Sequence, residues 1–593
     1  MAALFTTPRR NDTTAGTHVA EPDVRRRIGL AHGSWRRVTR RIVAGAVCAL
    51  TVSSLLKPSV SLAAEWVKVG GNKYNTAASD EAGTWSWDGA DDLKLNNYNG
   101  GEIQAAGKLN VNYSGTNIVT AEWIESIKVS HGTNENAELN IQGDEGGTLS
   151  VTSTEDAILS TGNINIDGAG SVNATSTGFD AINAGGDLAI KGSGNVNATG
   201  ASDGIRANGN ITIDDSGAVT ARATKDKGIG ADKNLTIKGG GTVEASSADG
   251  EALWSGGNIN ISDGSQVKAS SEKDAAVEAK GSLAVTNASL DASGVEYGVY
   301  AYKGVTLDHA TVMVRTSANG GQAIALITDG DDIVIKNGST VNAFAEGEVS
   351  AAFSTRNDRP NEKGGHIYIS DSVVKAIARY VENGDGPIPY SENQDGETRR
   401  EPQGENIGII AQTSEGVTPA VISIIRSKVT AEGDTAAIFA RAMSADGKTI
   451  GTIKIENAAI QTPEGGKVID YRKLRDGIYE AGQAIGTGDA TVDSLYIKAV
   501  AKSTTIAPPE VAKPEDPKPD ETKPAESKPA ESKQNPKPEG SKPTKAVAAS
   551  TTKAKTTGVL AATGDTSGAA IVATVLAGTA AIAAGTMASR KRS

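Results

Sequence analysis

Six aspartates recur at nearly constant spacing through the middle of this chain. Asp156, Asp180, Asp203, Asp226, Asp249 and Asp274 follow one another at a step of roughly 24 residues, the mark of an internal repeat. If the segments that carry them stack, like charges come within about 5 Å of one another, which is unfavourable without compensation. Ca2+ bridging carboxylates on successive segments would compensate it; the alternative is aspartate as a plain turn residue bonded to its own backbone. A second column, expected to face outward, holds Arg206, Trp254, Glu278, Tyr300 and Phe353, with Asn183, Gly230, Ala325, Ile410 and Phe439 at equivalent places. Rings in a row beside polar partners suit stacking against alternate sugars of a glycan. A third column, Asn163, Asp187, Asn210, Asn234 and Asn258, has the amides to hydrogen-bond along a stack and reads as structural.

Nucleophilic or metal-dependent catalysis has little to work with. Cys48 is the single cysteine, and only His131, His309 and His366 follow residue 64. No HExxH or phosphate-binding loop occurs. Paired carboxylates acting as acid and base are what remains for an enzyme.

The elements that position these columns come from the repeat itself. Asn163-Ile-Asn-Ile166, Asp187-Leu-Ala-Ile190, Asn210-Ile-Thr-Ile213, Asn234-Leu-Thr-Ile237, Asn258-Ile-Asn-Ile261 and Ser282-Leu-Ala-Val285 are one motif, recurring at the same step. Two further alternating pairs follow in each unit, such as Val172/Ala174 and then Ile182/Ala184. Alternation marks strands with one buried face, and Gly, Asp, Asn and Ser mark the turns between them. Three short strands in about 24 residues make one coil of an all-β, right-handed parallel β-helix, in which each coil buries its apolar side chains against its neighbours. About 14 coils are expected within residues 93–501. Residues 65–92, with Trp85 and Trp87, are expected to cap the open end. Ser354 to Gly365 and Arg379 to Asn406 lengthen two coils as loops that flank Phe353.

Both ends of the chain carry address signals. Arg36, Arg37, Arg40 and Arg41 precede the apolar run Ile42 to Leu56, and Ser61-Leu62-Ala63 follows, so residues 1–64 read as a secretory signal peptide. Residues 502–558 hold ten prolines between Pro508 and Pro543 among Lys, Glu and Ser, an extended spacer. Residues 559–593 contain Leu560-Ala561-Ala562-Thr563-Gly564, the uncharged stretch Gly568 to Ser589, expected as an apolar helix, and Arg590-Lys591-Arg592. Residues 1–64 carry ten basic and three acidic side chains, and the segment after Thr563 three and one. Removing both from the 59 and 71 of the whole chain leaves 46 basic and 67 acidic, a net charge of about −21. Such a surface argues against nucleic acid as a partner.

The C-terminal order of pentapeptide, apolar stretch and basic end resembles the sorting signal of sortase substrates of Gram-positive bacteria, in the L-A-x-T-G form. The resemblance implies cleavage between Thr563 and Gly564, transfer of the Thr563 carboxyl to cell-wall peptidoglycan, and a wall-anchored place on the outer surface. The repeat Asp203-Gly-Ile-x-Ala-x-Gly-Asn-Ile-Thr-Ile213, followed by Gly217-Ala-Val219, is similar to the β-helical carbohydrate-binding domains of bacterial surface proteins, of pectate-lyase-like fold. That resemblance covers roughly residues 139–345 and implies polysaccharide binding, with calcium between coils at the aspartate column. The expected function is a non-enzymatic surface adhesin that binds a glycan. A structural stalk, a protein-binding adhesin and a polysaccharide lyase are the alternatives.

Overall fold

A computed structural model describes residues 63–509, apart from 134–136, 319–320, 358–364, 382–390, 393–397, 400–404, 415–416, 446, 476–477 and 489–499. The chain divides into two compact units, residues 1–512 and 513–593, and the second lies outside the described residues. So do the signal peptide through residue 62, most of the spacer, the sorting signal and most of the two loops.

The described residues of the first unit are all-β, with no helix among them. The three strands of each repeat go to three long, mainly parallel sheets, the architecture of a parallel β-helix. The Asn163-type strands build sheet A, the Ile182-type strands sheet B and the Val172-type strands sheet C. In sheet A, Ile164, Leu188, Ile211, Leu235, Ile259 and Leu283 pair coil to coil in unbroken register. Fourteen of its sixteen strands run parallel, from Asp92–Asn96 to Thr452–Glu456. Every second side chain therefore points into one continuous core. Leu109, Leu139, Ile164, Ile211, Ile259, Val305 and Ile367 all have no exposed surface. Fully burying each such side chain is worth about 1.5–3 kcal/mol.

The turn that leaves sheet A explains much of the composition. From the strand Asn163–Gly168 onward, two residues past the second apolar position of each sheet A strand, the backbone enters the left-handed region. Gly168, Gly192, Asp215, Gly239, Asp263, Asn287, His309, Asn337, Asp371, Arg426 and Asn457 occupy that place in successive coils. Glycine, asparagine and aspartate tolerate positive φ best. At Gly192 the coils also press together: a Cβ there would lie 2.4 Å from the Gly168 carbonyl oxygen. His309 is thus one member of a turn column, with Nδ1 2.9 Å from Asp308 Oδ1.

Antiparallel strands end two of the three sheets at each end of the stack. Trp66–Val69 pairs antiparallel with Asn72–Tyr74 and Ile103–Ala106. Trp85–Trp87 pairs with Ala78–Ser79 and Asp92–Asn96, burying both tryptophans. At the other end, the hairpin Lys467–Arg475/Ile478–Gly486 runs antiparallel to Ala436–Ser444. Ser503–Ala507, assigned from sequence to the spacer, is instead a strand against Lys428–Gly433 and Ala459–Thr462. Its Ile506 has no exposed surface, so this apolar residue is held in the fold rather than in the Pro-rich tail.

Candidate functional site

The outer face of sheet B and the corner that leads into it carry the columns read from the sequence, and coil-to-coil register decides which residues meet. Asn183, Arg206, Gly230, Trp254, Glu278 and Tyr300 do form one column. Below Tyr300 the column differs from expectation. Tyr300 pairs with Ile327, then Ser354, Ile410 and Phe439, whereas Phe353 pairs with Leu326 and Ile409 and lies in the central core with no exposed surface. Phe353 is therefore not a ligand-facing ring. Strand Val349–Asn357 has nine residues where Leu253–Ser255 has three, and an off-by-one count along a longer strand turns each side chain to the opposite face.

The aspartate column also divides. Asp180 N–H donates to Asp156 Oδ1 (3.0 Å), Asp203 N–H to Asp180 Oδ1 (2.9 Å), and Lys227 N–H to Asp203 Oδ1 (2.6 Å). The next rungs are thus Lys227 and Glu251, two residues ahead of their strands like the first three aspartates. Asp226, Asp249 and Asp274 stand elsewhere: Asp226 pairs with the Lys227 ammonium, Asp249 with Lys273 Nζ at 2.6 Å, and Asp274 accepts the Ala275 N–H at 2.8 Å. The second oxygens of Asp156 and Asp180 accept from Asn183 Nδ2 at 3.1 and 2.9 Å, and Arg206 Nη1 lies 3.4 Å from Asp203 Oδ2. Calcium requires six to eight oxygen ligands; these carboxylates face N–H donors instead. Burial pushes Asp156 and Asp180 up, and Asp203 up to about 6. The donor set does not fit an ion between these coils.

Further along, the strip becomes aromatic and charged. Trp254 is half-buried, with Lys227 Nζ 5.3 Å above its ring. Gly230 makes room for the lysine chain, since a Cβ there would lie 2.9 Å from Lys227 Cδ. On the far side of Trp254, the carboxyls of Glu251 and Glu278 share a hydrogen bond, and Glu278 pairs with the Lys280 ammonium. Lys280 Nζ donates to Tyr302 Oη at 2.9 Å and sits 4.1 Å above its ring. Burial first, then the bond to Glu278 and its charge, push the Glu251 carboxyl up to about 7.

Tyr300 begins a covered stretch. Tyr300, Ile324, Ile327, Ile407, Ile410 and Phe439 form a second apolar cluster with Ile469, Tyr471 and Ala484 of the terminal hairpin. Arg356 Nε lies 3.2 Å from Asp329 Oδ1 beside it. Arg441 bonds Gln412 Oε1 at 2.9 and 2.6 Å and Glu405 at 3.0 and 3.2 Å. The strip ahead of that cluster, from Asp156 to Tyr302, is open only in part: Asn183, Arg206, Trp254, Lys280 and Tyr302 reach solvent, whereas Asp180, Asp203, Glu278 and Tyr300 are buried. Reasoning from sequence missed Lys227, Glu251 and Lys280; counting back two residues from each sheet B isoleucine or leucine would have found the first two. Arg356 and Arg441 gave no comparable signal.

Compared with protein-family models, curated proteins and solved structures, the chain has no match.

Proposed function

We propose that this chain is a secreted, wall-anchored surface protein of a Gram-positive bacterium that holds out a right-handed parallel β-helix to bind a glycan. Each coil is one repeat of the sequence and contributes three strands. Sortase joins Thr563 to peptidoglycan, the Pro-rich spacer lifts the β-helix from the wall, and the glycan lies along sheet B. The observation that carries the glycan reading is the partly open strip from Asn183 to Tyr302. An accessible indole, Trp254, stands there between an Arg206–Asp203 group and a Glu251–Glu278–Lys280 group. An aromatic face takes the C–H face of a sugar, and the flanking carboxylates, amide and cations are donors and acceptors for hydroxyls. The reading needs no calcium and no catalytic residue.

A glycan array probed with the chain ending before Leu560 tests it. Binding should occur and should weaken about tenfold, near 1.4 kcal/mol, in Trp254→Ala at unchanged melting temperature. Release of unsaturated or reducing ends would turn the reading to a lyase. Adhesion to a protein-coated surface with no glycan bound would turn it to a protein-binding adhesin, and neither activity to a stalk.

A further inference from the structure

The corner where sheet C passes into sheet B bears two exposed aromatic side chains that no part of the fold uses. Trp123 is 79% exposed and Phe179 is 52% exposed. In a chain with 4% aromatic residues, most described rings are at least partly covered, so two open ones on the same corner call for a cause. Trp123 also has φ of 67°. A bulky side chain in the left-handed region is strained, and this exposed one recovers little by burial.

The two rings are tied to one ladder of backbone. Trp123 N–H donates to Thr154 Oγ1 on the next coil at 2.9 Å. One coil further, Gly178 lies against that same residue, where a Cβ would be 2.2 Å from the Thr154 carbonyl oxygen. Phe179 follows directly, held by its N–H to Ser176 Oγ (3.0 Å) and by its carbonyl, which accepts the Ser202 N–H (3.1 Å). Trp123 and Phe179 are thus two coils apart along the axis, roughly 10 Å. Asp156, Asp180 and Asn183 begin the strip beside them.

We propose that Trp123 and Phe179 form a stacking ledge for the upstream end of a neutral, β-linked glycan whose chain runs parallel to the axis of the coils. The proposal rests on the glycan reading of sheet B and extends that site by two subsites. Ring faces attract the positive C–H edge of a sugar; the two-coil separation suits alternate sugars of an extended chain. Glu122 and Glu155 flank the ledge, with Glu125 beside them paired to Lys128 Nζ at 2.8 Å, so an anionic polysaccharide is repelled while hydroxyls find acceptors. Neutrality is therefore part of the specificity.

The test uses the full chain in mild detergent, with three probes: the β-1,4-linked hexasaccharides of glucose and of N-acetylglucosamine, and the hexasaccharide of galacturonic acid. One of the neutral probes should bind and the galacturonate should not. Phe179→Ala and Trp123→Gly should each weaken that binding about tenfold. Trp123→Gly should also leave the melting temperature unchanged or raised, because glycine relieves the left-handed strain; a fall would assign Trp123 to the fold and overturn the ledge. Binding lost in Trp254→Ala but kept in the Trp123→Gly/Phe179→Ala double variant would overturn the ledge and leave the sheet B site standing. Wild-type protein that binds neither neutral probe, or that captures a lysine-rich peptide instead, would overturn the ledge as a glycan platform.

Discussion

Glu251 shows how a single position changes character with its coil. At the equivalent place Asp156, Asp180 and Asp203 satisfy backbone amides, whereas Glu251 is turned to another carboxyl and must share a proton with it. Its folded pKa lies above the ordinary 4.5, so the contribution is fully present below about 4.5 and is lost as pH rises through about 7. Asp203, raised from 3.8 to about 6, adds a loss over the lower part of that range. Stability should therefore fall between pH 4.5 and 7, opposite to ordinary acid denaturation. Glu251→Gln, which cannot ionise, should remove much of that slope and stabilise at pH 8 by on the order of 1–2 kcal/mol. Denaturant midpoints measured across pH 4 to 8 check this, and an unchanged slope in the variant would refute the shared proton.

Within the coils, the asparagine column does the work expected of stacked amides. Asp187 N–H donates to Asn163 Oδ1 (2.9 Å), and Asn210 N–H to Asp187 Oδ1 (2.7 Å). Asn234 N–H reaches Asn210 Oδ1 (3.2 Å), Asn258 N–H reaches Asn234 Oδ1 (2.9 Å), and Ser282 N–H reaches Asn258 Oδ1 (2.9 Å). Each side chain so caps the turn of the next coil, where the backbone has no strand partner. Asn258→Ala should leave the Ser282 N–H unpaired and cost about 1–2 kcal/mol, with Asn258→Asp, which keeps the acceptor, costing less. Chemical denaturation of the two variants side by side distinguishes them. This column was legible because its residue type and spacing coincide. The aspartates were harder to place: their spacing is uneven enough to hide shifts of one or two positions, which remove Asp226, Asp249 and Asp274 from the rungs.

For the molecule as a whole, antiparallel strands end two of the three sheets at each end of the stack, while Asn99–Gly100 of sheet C and Thr452–Glu456 of sheet A are parallel strands at the sheet edge. The wall linkage proposed for the chain resides in Leu560 to Gly564. Leu560→Asp should leave the protein in the membrane or the medium, because sortase would no longer read the pentapeptide. Extraction of walls with hot detergent measures this, and a variant that resists extraction as wild type does would refute the sorting signal.

The repeat by itself determined the strands, their assignment to three sheets, the parallel stacking and the inward residues of the regular coils. It could do so because period-2 alternation and a near-constant repeat length are local properties of the chain. Tertiary structure alone decided the outward face. Whether Phe353 points in or out depends on where a nine-residue strand pairs, and whether Phe439 meets solvent depends on a hairpin at residues 467–486 that pairs with its strand and sets Tyr471 5.4 Å from its ring. Burial by a distant segment leaves no periodic mark in the residues it covers.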